Sequence, residues 1–178
     1  ISPDNLSDKN KQSRISLVKF AGEKTNKVGN DVYGPYKRNY TQIVRGYKAY
    51  TTAEDESNRT ELQNLVNALK PAGATQADYA MDHAKTLVEQ SKGDANRKNA
   101  KRIVIFFTDG EPTSSNQFED RVANRAINTA KDIKSNSNSK ADADIYTIGV
   151  FKDADASVTG GTGTNFDRWT DKQKFNAY

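Results

Sequence analysis

The residue best suited to chemistry is Asp109, in the segment 108–113 (TDGEPT). This segment directly follows residues 103–107 (IVIFF), a continuous apolar run that predicts a strand buried on both faces. In an open α/β sheet, ligands bind beyond the carboxyl ends of the strands. Gly110 permits a tight turn and Pro112 fixes its φ, so a turn alone explains both. A turn does not explain an acid at the strand end, and Asp109 is therefore a candidate functional carboxylate.

A second candidate is Thr75, which ends the segment 72–75 (AGAT) just before a predicted helix. With Asp78 three residues later, Thr75 has the pattern of a helix N-cap, which stabilises a helix by about 1 kcal/mol. A hydroxyl that caps a helix and a hydroxyl that binds a ligand both lie at a helix start. Both interpretations of Thr75 therefore stay open.

The elements that must position these residues alternate between strand-like and helix-like apolar patterns, which predicts an α/β fold in one domain. Helices between apolar strands predict crossover connections and a doubly wound, mostly parallel sheet flanked by helices. Strands are predicted at residues 14–20, 103–107 and 145–151, and helices at 62–69, 76–91 and 118–135.

A polar stretch at residues 21–57 interrupts this rhythm, and part of it, about 41–51, has the pattern of an edge strand. The stretch holds five of the eight tyrosines: Tyr33, Tyr36, Tyr40, Tyr47 and Tyr50. Tyrosine gives a large contact area at low entropic cost and is favoured in binding surfaces. The stretch is either an inserted binding arm or an edge hairpin with ordinary surface tyrosines.

Composition excludes several classes of protein. The chain has 27 Lys and Arg against 23 Asp and Glu, interspersed, so no basic stripe indicates nucleic-acid binding. The absence of cysteine excludes disulfides and thiolate metal sites. No apolar run approaches the ~20 residues needed to span a bilayer. His83, the single histidine, lies beside the apolar stripe of its predicted helix, and we expect it at the surface.

Residues 73–75 and 108–113 together resemble the von Willebrand factor A family. Its metal-ion-dependent adhesion site combines three loops: Asp-x-Ser-x-Ser, a threonine in a Gly-x-Thr context, and an aspartate in a Thr-Asp-Gly-x-Pro-Thr-like turn. The resemblance covers about residues 10–178. It implies a Rossmann-like fold and a Mg²⁺ site, or one for Mn²⁺ or Ca²⁺, at Asp109 and Thr75. Neutral hydroxyl ligands leave ion charge uncompensated, which attracts a carboxylate from a partner.

The chain departs from the family pattern because Asp-x-Ser-x-Ser occurs nowhere in it. The chain starts at Ile1 and its single methionine is Met81, so we expect a piece of a longer protein. The resemblance places the absent loop and a central first strand upstream of Ile1, and the last strand and helix beyond Tyr178. Residues 1–178 are then a partial domain, with unpaired sheet edges and an insertion at 21–57.

The resemblance implies a non-enzymatic binding module. A cysteine-free chain rich in Lys and Asn is similar to the A domains of Gram-positive pilus tip adhesins. Expected partners are a host matrix or cell-surface protein and other pilus subunits, outside the bacterial cell. Ligand contacts are expected from residues beside the metal and in the Tyr-rich stretch: Glu111, Thr113, Tyr33, Tyr36 and Tyr40.

Two alternatives remain. The pattern Asp109-x-Glu111-x-Thr113 is similar to the motif of haloacid-dehalogenase phosphatases, which form an aspartyl phosphate. Against that family, the second acid is Glu rather than Asp, the motif follows more than 100 residues, and the downstream acids are absent. The other alternative is a structural pilus subunit with a vestigial metal site.

Overall fold

A computed structural model of the chain describes residues 13–22, 41–49, 56–69, 74–114, 118–134 and 142–150. The strands are β1 (Arg14–Lys19), β2 (Gln42–Ala49), β3 (Ile103–Thr108) and β4 (Asp144–Gly149). The helices are α1 (Glu56–Asn67), α2 (Ala77–Gly93) and α3 (Asp120–Lys134), with a short 3-10 helix at Ala95–Arg97. The predicted α/β class is confirmed. No helix in the described ranges has the length and apolar character needed to cross a membrane.

The four described strands form two pairs. β1 and β2 are antiparallel, and β3 and β4 are parallel with Ile105 opposite Tyr146 and Phe107 opposite Ile148. Helix α3 connects β3 to β4, as a parallel pair requires. No backbone ladder joins the two pairs within the described residues. They meet through side chains instead, because the Phe20 and Phe106 rings stack with centroids 5.0 Å apart.

The core lies between the β3–β4 pair and helices α2 and α3. Met81 and Val88 of α2 pack with Ile133 of α3, which is 0% exposed. The predicted apolar stripe of α2 is confirmed, because its residues are buried or half-buried: Ala77, Ala80, Met81, Ala84, Leu87 and Val88. A one-sided stripe at helical spacing buries itself against a sheet, so these residues determine which face of α2 is turned inward.

The prediction that residues 103–107 are buried on both faces is wrong. Val104 and Phe106 pack against the core, but Ile105 is 67% exposed and Phe107 is 59% exposed. Successive side chains of a strand point to opposite faces, and α2 and α3 cover only one of them. The uncovered face also carries outward residues of β3 and β4 and the residue after β4: Ile103, Tyr146, Ile148 and Val150.

Strand β2 and helix α1 are joined by a buried arginine. Arg45 of β2 is 5% exposed and pairs with Glu61 of α1 at 2.8 Å. Its guanidinium also donates to the backbone oxygen of Asn58 at 2.9 Å. The edge strand predicted at about 41–51 is confirmed as β2. The predicted helix at 62–69 is confirmed as the second half of α1, which ends at Asn67.

Candidate metal-binding site

The acidic turn begins where β3 ends. Asp109 follows the last strand residue, Thr108, and is exposed. The backbone N–H of Gly110 donates to Oγ1 of Thr108 at 3.3 Å, which turns the chain sharply at the strand end. The predicted placement of Asp109 directly after a sheet strand is therefore confirmed.

Thr75 lies against this turn. The N–H of Thr75 donates to the carbonyl of Thr113 at 3.1 Å, and the N–H of Thr113 donates to the carbonyl of Thr75 at 3.0 Å. A Cβ on Gly110 would stand 2.5 Å from Oγ1 of Thr75. That distance leaves no room for a side chain, so glycine permits the close approach. The two segments of the predicted site, at least 33 residues apart in sequence, are thus in contact.

The end of β1 borders the same place. The N–H of Gln76 donates to the carbonyl of Ala21 at 3.3 Å. A Cβ on Gly22 would stand 2.6 Å from the backbone nitrogen of Ala74. The carboxyl ends of β1 and β3 therefore both meet the segment that leads into α2, which is where α/β sheets bind ligands.

The prediction that Thr75 caps the helix is wrong by one residue. Helix α2 begins at Ala77, and its N-cap is Gln76, whose side chain makes no capping hydrogen bond. Thr75 is instead held by its two-way backbone pairing with Thr113. Its hydroxyl is consequently beside Gly110 rather than at the first turn of the helix. Of the two open interpretations of Thr75, the helix cap is eliminated.

The acidic turn is fastened to α3 by Glu119, a residue that the sequence analysis did not single out. The N–H and the hydroxyl of Ser114 both donate to Oε1 of Glu119, the former at 3.0 Å. The N–H of Glu119 donates to the carbonyl of Pro112 at 2.9 Å. Donation by the Ser114 side chain is the main cause that lowers the pKa of Glu119. The position of Glu119 at the start of a predicted helix was the one local pattern that could have drawn attention to it, because acids are stabilising at helix N-termini.

A second missed feature is a charge cluster between α2 and α3. Asp78, 1% exposed, pairs with Nη1 of Arg125 at 3.2 Å, and Nη2 of Arg125 lies 3.4 Å from Asp82. The guanidinium also lies over the Tyr79 ring, 5.3 Å from its centroid. Burial raises the pKa of Asp78, and Arg125 opposes that rise. No local sequence pattern predicts this ion pair, because 47 residues separate Asp78 from Arg125.

His83 is buried, so the expectation of a surface position is wrong. It is 1% exposed, and its Nε2 lies 3.3 Å from the carbonyl oxygen of Thr41. A carbonyl only accepts, so Nε2 donates and carries the proton. Burial lowers the pKa of His83, with the Thr41 contact opposing. His83 therefore joins α2 to the segment beside β2 and takes no part in the acidic turn.

The other predicted ligand-binding residues divide into two groups. Glu111 and Thr113 belong to the acidic turn and are half-buried, and Thr113 contacts Thr75 through its backbone. Tyr33, Tyr36 and Tyr40 lie outside the described residues, as does most of the 21–57 stretch.

The donors at this place suit a hard cation. Within the ranges that the structure describes, no three His, Cys, Asp or Glu side chains gather as a metal-binding group. The turn offers the exposed carboxylate of Asp109 and the half-buried Glu111, and Thr75 supplies a hydroxyl beside the turn. Oxygen donors of this kind fit Mg²⁺, Mn²⁺ or Ca²⁺, whereas Zn²⁺ and Cu²⁺ favour imidazole or thiolate. Mg²⁺ keeps several waters, so a small set of protein ligands is compatible with it.

The family model of the von Willebrand factor type A domain matches residues 4–165. No curated protein and no solved structure matches the chain.

Proposed function

Because the chain belongs to the von Willebrand factor type A domain family, we propose that it is an adhesion module that binds a protein partner through a divalent metal ion at Asp109 and Thr75. Domains of this family generally mediate protein interactions, often through a bound metal, and are typically not enzymes. Our proposal assigns that general role to two residues of this chain and to Mg²⁺, with Mn²⁺ or Ca²⁺ as alternatives.

The observation that supports the proposal most is the close approach of Thr75 to Gly110. Two segments that are distant in sequence are paired by two backbone hydrogen bonds, and Gly110 leaves space for the Thr75 hydroxyl next to Asp109. A helix cap would need that hydroxyl elsewhere, and Gln76 occupies the cap position. This arrangement supports the proposal that Asp109 and Thr75 contribute oxygen ligands to one ion.

The side chains have distinct roles in this proposal. Asp109 supplies negative charge, and its exposure leaves space for a partner beside it. Thr75 supplies a neutral hydroxyl, which binds a hard cation without cancelling its charge. A bound ion supplies the residual positive charge that attracts a carboxylate of the partner. No bond has to break, which distinguishes adhesion from catalysis.

The proposal also names the binding partner of this protein and its location. The partner is a host matrix or cell-surface protein, contacted around the metal by Glu111 and Thr113 and by the Tyr-rich stretch with Tyr33, Tyr36 and Tyr40. Buried aromatic residues commonly supply much of the affinity at such interfaces. The location is the bacterial surface, on a pilus or the cell wall with other pilus subunits, and its motivation is the cysteine-free, Lys- and Asn-rich composition.

Metal titration of the full-length protein tests the site. We expect calorimetry to show binding of Mg²⁺ or Mn²⁺ to the unmodified protein and a loss of at least about tenfold in affinity in Asp109→Ala and Thr75→Ala. Asp120→Ala is the matched control, because it removes an exposed acid whose carboxylate accepts from the N–H of Arg121. Equal binding by all four proteins contradicts the assignment.

Adhesion assays test the function. Binding to matrix-coated surfaces should fall in EDTA and in Thr75→Ala, while the thermal midpoint of Thr75→Ala changes little, because its hydroxyl does not cap α2. Adhesion that survives both treatments would show that the partner is not bound through the metal. Phosphatase activity that Asp109→Asn abolishes would instead support the enzyme alternative.

A further inference from the structure

We propose that Glu119 and Arg125 are positioning residues for the candidate metal site: together they fix the separation between Thr75 and the acidic turn. This inference rests on the proposed function. Glu119 precedes α3 and Arg125 lies within it, so one helix holds both segments of the site. Three contacts and the backbone between them link six residues, which we call the loop–helix ring: Thr75, Thr113, Ser114, Glu119, Arg125 and Asp78.

The first part of the ring fastens the acidic turn. Glu119 accepts from the N–H and the hydroxyl of Ser114, and its own N–H donates to the carbonyl of Pro112 at 2.9 Å. Thr113 lies between these two anchored residues. Its backbone therefore has little freedom to move away from α3.

The second part joins the turn to Thr75. Thr113 and Thr75 are in direct contact, because their backbones exchange hydrogen bonds of 3.0 and 3.1 Å. Any displacement of Thr113 is consequently passed to Thr75. The Thr75 hydroxyl lies so close to Gly110 that a Cβ there would stand 2.5 Å from its Oγ1. A displacement of Thr75 would therefore move one of the two proposed ligands relative to the acidic turn.

The third part closes the ring through the helices. Arg125 pairs with Asp78 at 3.2 Å and with Asp82 at 3.4 Å, which holds α3 against the first two turns of α2. Asp78 is buried and lies three residues after Thr75. Breaking this pair leaves a buried carboxylate without its counter-ion, so the contact resists separation of the helices.

If the loop–helix ring positions the ligands, loosening it should change the affinities for Mg²⁺ and Ca²⁺ by different factors. Mg²⁺ demands nearly ideal octahedral geometry, whereas Ca²⁺ accepts longer and more variable ligand distances. A loosened ring should therefore weaken binding of Mg²⁺ more than binding of Ca²⁺. A residue that only stabilises the fold lowers the folded fraction and weakens both ions by the same factor.

The experiment compares Glu119→Ala with Glu119→Gln in the full-length protein, by calorimetric titration with Mg²⁺ and with Ca²⁺. Glu119→Ala removes the acceptor for Ser114, and we expect about a tenfold loss of affinity for Mg²⁺ and a smaller loss for Ca²⁺. Glu119→Gln keeps a side-chain oxygen at the same distance from the backbone and should restore most of the affinity. Asp120→Ala, the neighbouring acid, is the control and should leave both affinities unchanged.

Two further variants keep the test decisive. Ser114→Ala removes only the hydroxyl donor, and Arg125→Lys keeps the charge near Asp78 while removing the forked contact to both acids. Both should lower the Mg²⁺ to Ca²⁺ affinity ratio, even if Glu119→Ala does not fold. Failure of the unmodified protein to bind either ion overturns the proposed function. Normal binding by the unmodified protein with an unchanged ratio in these variants overturns the positioning role alone.

Discussion

Substituting Gly110 by alanine adds one methyl group at the point where the two segments of the site meet. The new Cβ would stand 2.5 Å from Oγ1 of Thr75, and 3.6 Å from the Cβ and Cγ2 atoms of that residue. The distance to Oγ1 is so short that Thr75 or the turn must move, while the distances to Cβ and Cγ2 are ordinary van der Waals contacts. Gly110 does not use a left-handed φ, so alanine can adopt its backbone conformation.

The expected magnitude follows from these distances. Overpacking typically costs about 1–3 kcal/mol. Replacing glycine by alanine also restricts the unfolded chain, which stabilises the protein by about 0.4–1 kcal/mol. We therefore expect a net loss of about 1–2 kcal/mol in the free energy of unfolding. Displacement of the Thr75 hydroxyl should also weaken metal binding by about tenfold, because this hydroxyl is itself a proposed ligand of the ion.

A double-mutant cycle isolates the contact. Thr75→Ala removes Oγ1, so in that background Gly110→Ala should stabilise the protein by about 0.4–1 kcal/mol. The coupling energy is then the overpacking cost of about 1–3 kcal/mol. Thr75→Val keeps an atom in place of Oγ1 and should retain the cost, which separates shape from hydrogen bonding. Gly46→Ala is the matched control, because nothing lies within 4 Å of a Cβ at Gly46.

The assay is urea unfolding of the full-length protein with calorimetric titration of Mg²⁺. Equal effects of Gly110→Ala in the unmodified and Thr75→Ala backgrounds would refute the reasoning, since the methyl group would then have no contact with Oγ1. An effect of Gly110→Ala no larger than that of Gly46→Ala would refute it equally.

Three other predictions concern buried groups. Arg125→Ala leaves the carboxylate of Asp78 without its counter-ion, and urea unfolding should show a loss of about 2 kcal/mol, which Asp78→Asn partly restores. Burial lowers the pKa of His83, so its stabilising contribution is complete above pH ~6.5 and is lost as the pH falls through the lowered pKa. The urea midpoint should therefore fall between about pH 7 and 5 and fall less in His83→Gln; identical pH profiles would contradict this. Ile133→Ala, at a fully buried position, should cost about 3 kcal/mol in thermal unfolding, and a change below about 1 kcal/mol would show that the site collapses around the cavity.

The sequence by itself determined most of the elements and the position of Asp109. The spacing of apolar residues specifies α2 and its inward face, because a helix repeats every 3.6 residues. The run at 103–107 specifies β3, and the acid that follows it is placed at the carboxyl end of a strand by connectivity alone. The Gly-x-Thr and Thr-Asp-Gly segments were likewise found from local pattern, so the family could be inferred before any contact was known.

Only the tertiary structure decided which partners these residues have. The helix cap predicted for Thr75 was displaced to Gln76, because pairing with Thr113 holds Thr75 outside the helix. His83 is buried because Thr41, 42 residues earlier, offers it a carbonyl.

The exposure of Ile105 and the pairing of Asp78 with Arg125 depend on which elements cover each face. A local pattern fixes the direction of a side chain relative to its own element. It carries no information about a group that lies dozens of residues away, because that contact is selected by the packing of whole helices and strands.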